Sequence, residues 1–308
     1  MSDLKRYQGV FPAFYACYDE RGNVSPERAA RLTEHLISKG VQGLYVCGSS
    51  GECIYQDVEE RKETLRAVVE SAAGRVTIIA HVAANSTRDS ILLAKHAQSL
   101  GVDAIAAIPP IYFKLPEYSI ADYWNAISAA APETDFFIYN IPQLAGVALT
   151  PGLLKVMLQN PRVKGVKNSS MPSLDIQTFK MIGGDELCVF NGPDEQFLAG
   201  RLMGACGGIG GTYAAMPELF LRMDALIRAG RAQDATAIQM DVNRIITALC
   251  SCRGNMYAVI KELLRRRGVD IGSVRAPLSP LCAEDMPQVD RCEEMIDKAI
   301  ALHTAQAL

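Results

Sequence analysis

Excess positive charge, metal-ligand spacing and long apolar runs are all missing from this chain, and each absence removes a class of function. Lys and Arg number 31 against 34 Asp and Glu, for a net charge of −3. That leaves no basic footprint for nucleic acid or for an acidic membrane surface. No uninterrupted apolar run is long enough to span a bilayer, and the opening MSDLKRYQG has no apolar segment behind positive charge. A cytoplasmic protein without membrane or nucleic-acid partners is expected. The four histidines, His35, His81, His96 and His303, are scattered and form no HExxH. The nine cysteines supply no CxxC pair, since Cys250-Ser251-Cys252 has neither the spacing nor a second half. An odd cysteine count without a leader points to reduced thiols. Cys17, Cys47, Cys53, Cys188 and Cys206 lie in or beside predicted strands, where a thiol behaves as a small hydrophobe. No metal site is expected.

What is present is an ordinary globular balance, 49% hydrophobic and 21% charged, with strand-like and helix-like segments alternating from Tyr7 onward. Strands are predicted at 9–15, 42–46, 76–82, 103–108, 136–139, 163–167, 187–190 and 206–210. A helix is predicted at 26–40, with Ser25 as N-cap and Pro26 opening the first turn. Others fall at 57–73, from Ser86 or Thr87 to about Leu100, within 116–131, and at 151–159, 174–182 and 194–202. Eight strands, each followed by a helix over about 220 residues, indicate an α/β protein with a (β/α)8 TIM barrel. An open Rossmann or flavodoxin-like sheet would have fewer strands and a phosphate loop after the first. Here the first strand runs into Ala16-Cys17-Tyr18-Asp19, with no G-x-G-x-x-G. Residues 1–229 are expected to form the barrel and carry the active site. Residues 230–308 are expected to be a C-terminal helical extension packed on it, with helices at 231–249, 256–267 and 287–305.

Barrel enzymes place their chemistry at the C-terminal ends of the strands. The second predicted strand ends in Gly48-Ser49-Ser50-Gly51-Glu52, whose hydroxyls and N–H groups suit a carboxylate. An ordinary Gly/Ser turn has the same composition. The fourth strand ends in Pro109-Pro110-Ile111-Tyr112, the fifth at Tyr139 and the sixth at Lys167. The seventh ends in Asn191-Gly192-Pro193-Asp194-Glu195, where paired carboxylates accept from sugar hydroxyls or simply open the next helix. The eighth, Gly208-Ile209-Gly210-Gly211-Thr212-Tyr213, is small enough to admit a ligand. Alternation puts Val163, Gly165 and Lys167 on one face and Lys164 and Val166 on the other. If Val166 packs under the outer helices, Lys167 points into the apolar middle. A lysine there sheds its proton and becomes a nucleophilic amine, and Tyr139 on the next strand end can move protons for it. A lysine that snorkels to the surface is the alternative. One amine, two phenols and clustered hydroxyls converging on one rim favour the nucleophile.

GSSGE at 48–52, the tyrosine of PPIY at 112, YNIP at 139–142, the lysine of GVK at 167 and GGIGGTY at 207–213 occur in one order. Together they resemble the pyruvate-dependent class I aldolase family that includes N-acetylneuraminate lyase and dihydrodipicolinate synthase, over about Gly9 to Pro280. The resemblance implies that Lys167 forms a Schiff base with pyruvate, that Tyr139 is the general acid/base, and that no metal or other cofactor is required. It implies that Ser49 and Ser50 bind the pyruvate carboxylate. It also implies that Ser49 and Tyr112 complete a proton relay, Tyr112 coming from a neighbouring subunit of a homotetramer built as a dimer of dimers. Gln143 and Leu144 stand where the synthases carry an arginine for a second carboxylate. Ser169, and Asp194-Glu195 after Gly192, are similar to the lyase type, where such residues contact the polyhydroxy tail. Three departures stand out: Gly211 replaces a serine and removes one tail contact, Pro193 interrupts the acidic stretch, and Ala16-Cys17-Tyr18 replaces Thr-Pro-Phe. The implied reaction is reversible cleavage of N-acetylneuraminate, or a similar 2-keto-3-deoxy sugar acid, to pyruvate and N-acetylmannosamine. Condensation of pyruvate with aspartate semialdehyde, and non-catalytic sensing of a keto or sugar acid, are the alternatives.

Overall fold

The computed structural model describes residues 4–305. Among these, eight short strands alternate with helices: β1 (Gly9–Pro12), β2 (Gly43–Val46), β3 (Thr77–His81), β4 (Ala104–Ala107), β5 (Asp135–Asn140), β6 (Val163–Asn168), β7 (Cys188–Asn191) and β8 (Gly207–Gly210). They pair in parallel in the order β1-β8-β7-β6-β5-β4-β3-β2. The seam closes where Ala13 bridges Tyr45 and the Phe14 N–H donates to the Tyr45 carbonyl at 2.9 Å. This is the expected (β/α)8 TIM barrel. The helices between strands are α1 (Pro26–Ser38), α2 (Val58–Ala72), α3 (Thr87–Ser99), α4 (Glu117–Ala130), α5 (Pro142–Ala145), α6 (Pro151–Met157), α7 (Leu174–Gly183) and α8 (Phe197–Leu202). Then follow α9 (Pro217–Arg228), α10 (Ala235–Leu249), α11 (Met256–Arg266) and α12 (Met286–Thr304). Their starts are written in the chain: Ser25, Asp57, Ser86 and Thr150 each accept a backbone N–H from the first turn, with a full capping box between Asp57 and Glu60.

The period of two sorts each strand between two cores. On β5, Phe137 and Tyr139 face the barrel axis, while Phe136 and Ile138 pack under the helices. Inside, Phe11, Phe137 and Phe190 stack edge to face or tilted, at 5.0 and 5.9 Å, and Tyr7 plugs the base against Phe137 at 4.9 Å. Such pairs are each worth about 0.5–1.5 kcal/mol beyond their buried area. They fill the barrel below Lys167 with aromatic carbon, and at the base the Tyr7 hydroxyl donates to Asp135 Oδ2 at 2.8 Å.

Several local expectations change. Val163 does not share the face of Lys167; it packs with Val166 in the outer core. The cause is a slip in the β5–β6 ladder, where Phe136 pairs Val163 but Phe137 pairs Gly165, so Lys164 is an extra residue and alternation restarts after it. The helix expected over 194–202 is a 3-10 turn at Asp194–Gln196 followed by α8. Two helices lie outside the predicted set, the short α5 after YNI and α9, which completes the eighth unit.

The C-terminal helices are locked to the β2 loop by a buried ion pair. Lys261 of α11 donates to Glu52 Oε1 at 2.7 Å, with side-chain exposures of 1% and 0%. The other oxygen, Glu52 Oε2, accepts the Arg275 N–H at 2.9 Å. Glu52 and Cys47 bracket the Gly48–Gly51 turn, and both sit in the left-handed region at φ 51° and 60°. That conformation costs a non-glycine residue roughly 1–2 kcal/mol, so the loop needs tertiary contacts to hold it. Lys261→Met, which strands a buried carboxylate, should lower stability by about 3–5 kcal/mol. Adding Glu52→Gln should restore part of that loss in thermal or denaturant unfolding. A single Lys261→Met variant as stable as the parent would show that the lock contributes nothing.

Candidate active site

Lys167 ends on the axis side of β6, paired in register with Tyr139 of β5. It is only 4% exposed. Its Nζ lies 3.9 Å from the centre of the Tyr139 ring and 4.1 Å from that of Tyr45. Burial lowers its pKa from the usual 10.5 to about 7, and the charge of Asp194 opposes that only in part. The displacement corresponds to roughly 5 kcal/mol against the ammonium form, more than the ~1–2 kcal/mol that aromatic faces return to a desolvated cation. Near neutral pH a large share of this lysine is therefore free amine.

Around it, a cavity of about 380 Å³ opens at the C-terminal end of the strands, a size that suits a small-molecule ligand. Ser49, Ser50, Tyr139, Lys167, Ser169, Gly192, Asp194, Glu195 and Gly211 all line it, so the structure brings these expected residues together. The strand ends are knit by the Ser169 N–H to the Asn140 carbonyl and the Gly192 N–H to the Asn168 carbonyl, both at 2.7 Å. The side chains of Asn140 and Asn168, the last pair of the β5–β6 ladder, bond at 2.7 Å. Gly192 is required by close approach, because a Cβ there would lie 2.0 Å from Ser169 Oγ. The Tyr139 hydroxyl is 3.4 Å from Ser49 Oγ. Burial pushes its pKa up to about 12, offset in part by Ser49 and Ser169. The phenol thus keeps its proton at neutral pH.

Asp194 departs from the picture of a carboxylate reaching into a sugar site. It is buried, and its Oδ2 accepts the Thr212 N–H at 2.7 Å and the Thr212 hydroxyl at 2.6 Å. Its other oxygen lies flush against Gly210, where a Cβ would come within 2.1 Å. Burial raises its pKa to about 6 despite the Thr212 bonds. Glu195 is exposed at the rim instead. Tyr112 lies apart from the cavity. It is 89% exposed at φ 85°, its ring set edge-on to Phe113 at 4.9 Å.

Other residues of the site were not foreseen. Tyr45 supplies one of the two faces that hold Lys167. His81 is buried edge-on to Tyr139 at 5.9 Å, kept neutral by burial and by Arg61. Ile246, Cys250, Met256 and Tyr257 come from the C-terminal helices and close one side of the cavity. The sequence held a weak signal for Tyr45, an aromatic on the axis side of a strand, and none for Tyr257. A second cavity of about 600 Å³ shares Ser49, Ile141, Leu144 and Tyr257 with the first but is not lined by Lys167. All nine cysteines are free thiols. Among the described residues no three His, Cys, Asp or Glu side chains gather as a metal site, and no helix is long and apolar enough to cross a membrane.

Comparison with known proteins places this geometry. The N-acetylneuraminate lyase of Mediterraneibacter gnavus is 61% identical over 297 residues, covering 96% of this chain and 94% of that protein. The N-acetylneuraminate lyase of Salmonella agona is 34% identical over 286 residues, 93% of each. A solved structure of a catalytic-lysine mutant of Ruminococcus gnavus sialic acid aldolase superposes with a TM-score of 0.97 at 60% identity, covering 98% of this chain and 100% of that one. Residues 6–295 match the model of the dihydrodipicolinate synthetase family. With the barrel, the strand-end lysine and the full-length match in agreement, the chain belongs to the dihydrodipicolinate synthetase family.

Proposed function

We propose that this protein is an N-acetylneuraminate lyase, a metal-independent class I aldolase that reversibly cleaves the open-chain sugar acid to pyruvate and N-acetylmannosamine. The observation that carries the reading is Lys167, a buried amine with a pKa of about 7 packed on the Tyr139 ring at 3.9 Å. The lyase and aldolase relatives support the choice of substrate. So does Leu144, exposed at the cavity wall, because no guanidinium stands there to hold a carboxylate-tailed aldehyde.

In this reaction Lys167 Nζ attacks the C2 ketone; Tyr139 gives its proton to the departing C2 hydroxyl, water leaves, and an iminium beside a Tyr139 phenolate remains. Tyr139 takes the C4 hydroxyl proton as the C3–C4 bond breaks; the bonding pair flows to the iminium as an enamine, and the aldehyde leaves as N-acetylmannosamine. Protonation at C3 and hydrolysis then release pyruvate and the free amine. The covalent route replaces one difficult step by several easier ones. A phenol held near pKa 12 is a poor base alone, but the iminium charge forming beside its ring favours the phenolate at the step that needs it. Ser49, 3.4 Å away, is placed to pass the proton on. Ser49 and Ser50 are assigned to the keto-acid carboxylate. Ser169, Gly192, Glu195 and Gly211 are assigned to the sugar tail, with Asp194 shaping that wall through Thr212. Tyr112 and Phe113 form an exposed aromatic pair. That suits burial against another copy, and we assign Tyr112 to the relay of a neighbouring subunit in a homotetramer.

Borohydride reduction with N-acetylneuraminate as the only ligand should leave a pyruvyl adduct on Lys167 by peptide mapping. The Lys167→Ala variant should give neither adduct nor turnover. An adduct with pyruvate but none with the sugar acid would reject this substrate while keeping the Schiff base. Tyr139→Phe should still trap pyruvate while cleavage slows by about 10²–10⁴-fold; cleavage at the parental rate would remove Tyr139 from its role.

A further inference from the structure

The keto acid that reaches Lys167 brings a carboxylate, yet no other lysine and no arginine lines the cavity among the described residues. Neutral donors must hold the anion, so the donors that still have a proton to give decide how tightly it binds. Several are already engaged. The Thr212 N–H and hydroxyl both serve Asp194, at 2.7 and 2.6 Å. Tyr139 and Ser49 face each other at 3.4 Å. Tyr15, behind the wall, donates to the Gly211 carbonyl at 3.1 Å.

Tyr257 is different. It stands in the first turn of α11, where the Asn255 cap accepts its N–H at 2.9 Å. Its ring meets the buried Tyr15 ring edge-on at 5.5 Å and 88°. That ring wall backs Tyr257 in the lining of the cavity, which it shares with Ser50 and Tyr139. Burial holds its proton in place far above neutral pH. The corner it faces is kept clear by Gly211, whose absent Cβ would lie 3.4 Å from Ser50 Oγ and 3.8 Å from the Tyr15 hydroxyl. The residue also belongs to the helix that the Lys261–Glu52 pair fastens to the Ser49-Ser50 loop. One lock therefore sets the distance between the two sets of hydroxyls.

Resting on the aldolase reading above, we propose that Tyr257 is a substrate-binding residue whose phenol donates a hydrogen bond to the keto-acid carboxylate beside Ser50, with Tyr15 as the residue that positions it. A hydrogen bond to a charged acceptor corresponds to roughly ten- to a hundredfold in binding. The test titrates reductive trapping at Lys167 with two ligands, pyruvate and its uncharged methyl ester, in the parent and in Tyr257→Phe. The half-saturating pyruvate concentration should rise about tenfold or more in the variant, while that of the ester moves less than twofold. In steady-state assays the loss should fall on KM for pyruvate rather than on kcat. Tyr15→Leu, which removes the ring that Tyr257 rests against, should give a smaller shift in the same direction, whereas Tyr15→Phe, which keeps the ring, should not. Unchanged pyruvate titration in Tyr257→Phe, or an equal rise for acid and ester, would overturn the proposal and leave the residue as a wall of the cavity. A parent enzyme that traps no pyruvate would instead overturn the aldolase reading, and this assignment with it.

Discussion

Everything at the upper end of the barrel depends on keeping one lysine out of water. Lys167 lies between the faces of Tyr45 and Tyr139, below the strand-end hydroxyls and above a plug of phenylalanines. Desolvation disfavours its charge by more than the aromatic faces restore, so the amine is available without any base to deprotonate it. The same packing leaves Tyr139 neutral, with its ring against the lysine nitrogen. The two groups are tuned by burial in opposite senses, lysine downward and phenol upward, so that both favour their uncharged forms.

Such a site needs a rigid collar. The ladder between β5 and β6, closed at its end by the asparagine bond, fixes Lys167 against Tyr139. The Gly48–Gly51 turn has no regular ladder of its own and is bracketed by two residues in left-handed conformations. Its position is dictated from 209 residues away in the chain, by Lys261 gripping Glu52. The helices beyond the eighth strand therefore help to build the active cavity, supplying both this anchor and the wall that contains Tyr257.

Much of this was legible in the chain. The alternation of apolar runs with capped helices gives the barrel, and the strand-end rule leads to Lys167, Tyr139 and the Ser49-Ser50 turn. Period-two reasoning failed at Val163, because one extra residue at Lys164 resets the alternation, and nothing in VKGVK announces that slip. Asp194 reads as a solvent-facing helix-start carboxylate; only folding shows Thr212 closing over it. Tyr257 was invisible for a different reason. It lies outside the repeating units, on a helix whose apolar pattern speaks for packing, and its nearness to Ser50 is purely tertiary. Tyr112 had a motif to mark it, but a single chain leaves it turned outward.

The most direct test of this account is an NMR titration of the Lys167 side-chain nitrogen in the ligand-free enzyme, assigned by comparison with Lys167→Ala. Deprotonation with a midpoint near pH 7 is the predicted result, since burial favours the free amine. A midpoint near the usual 10.5 would mean that the lysine is an ordinary solvated ammonium, and the reading of the cavity built on it would fall.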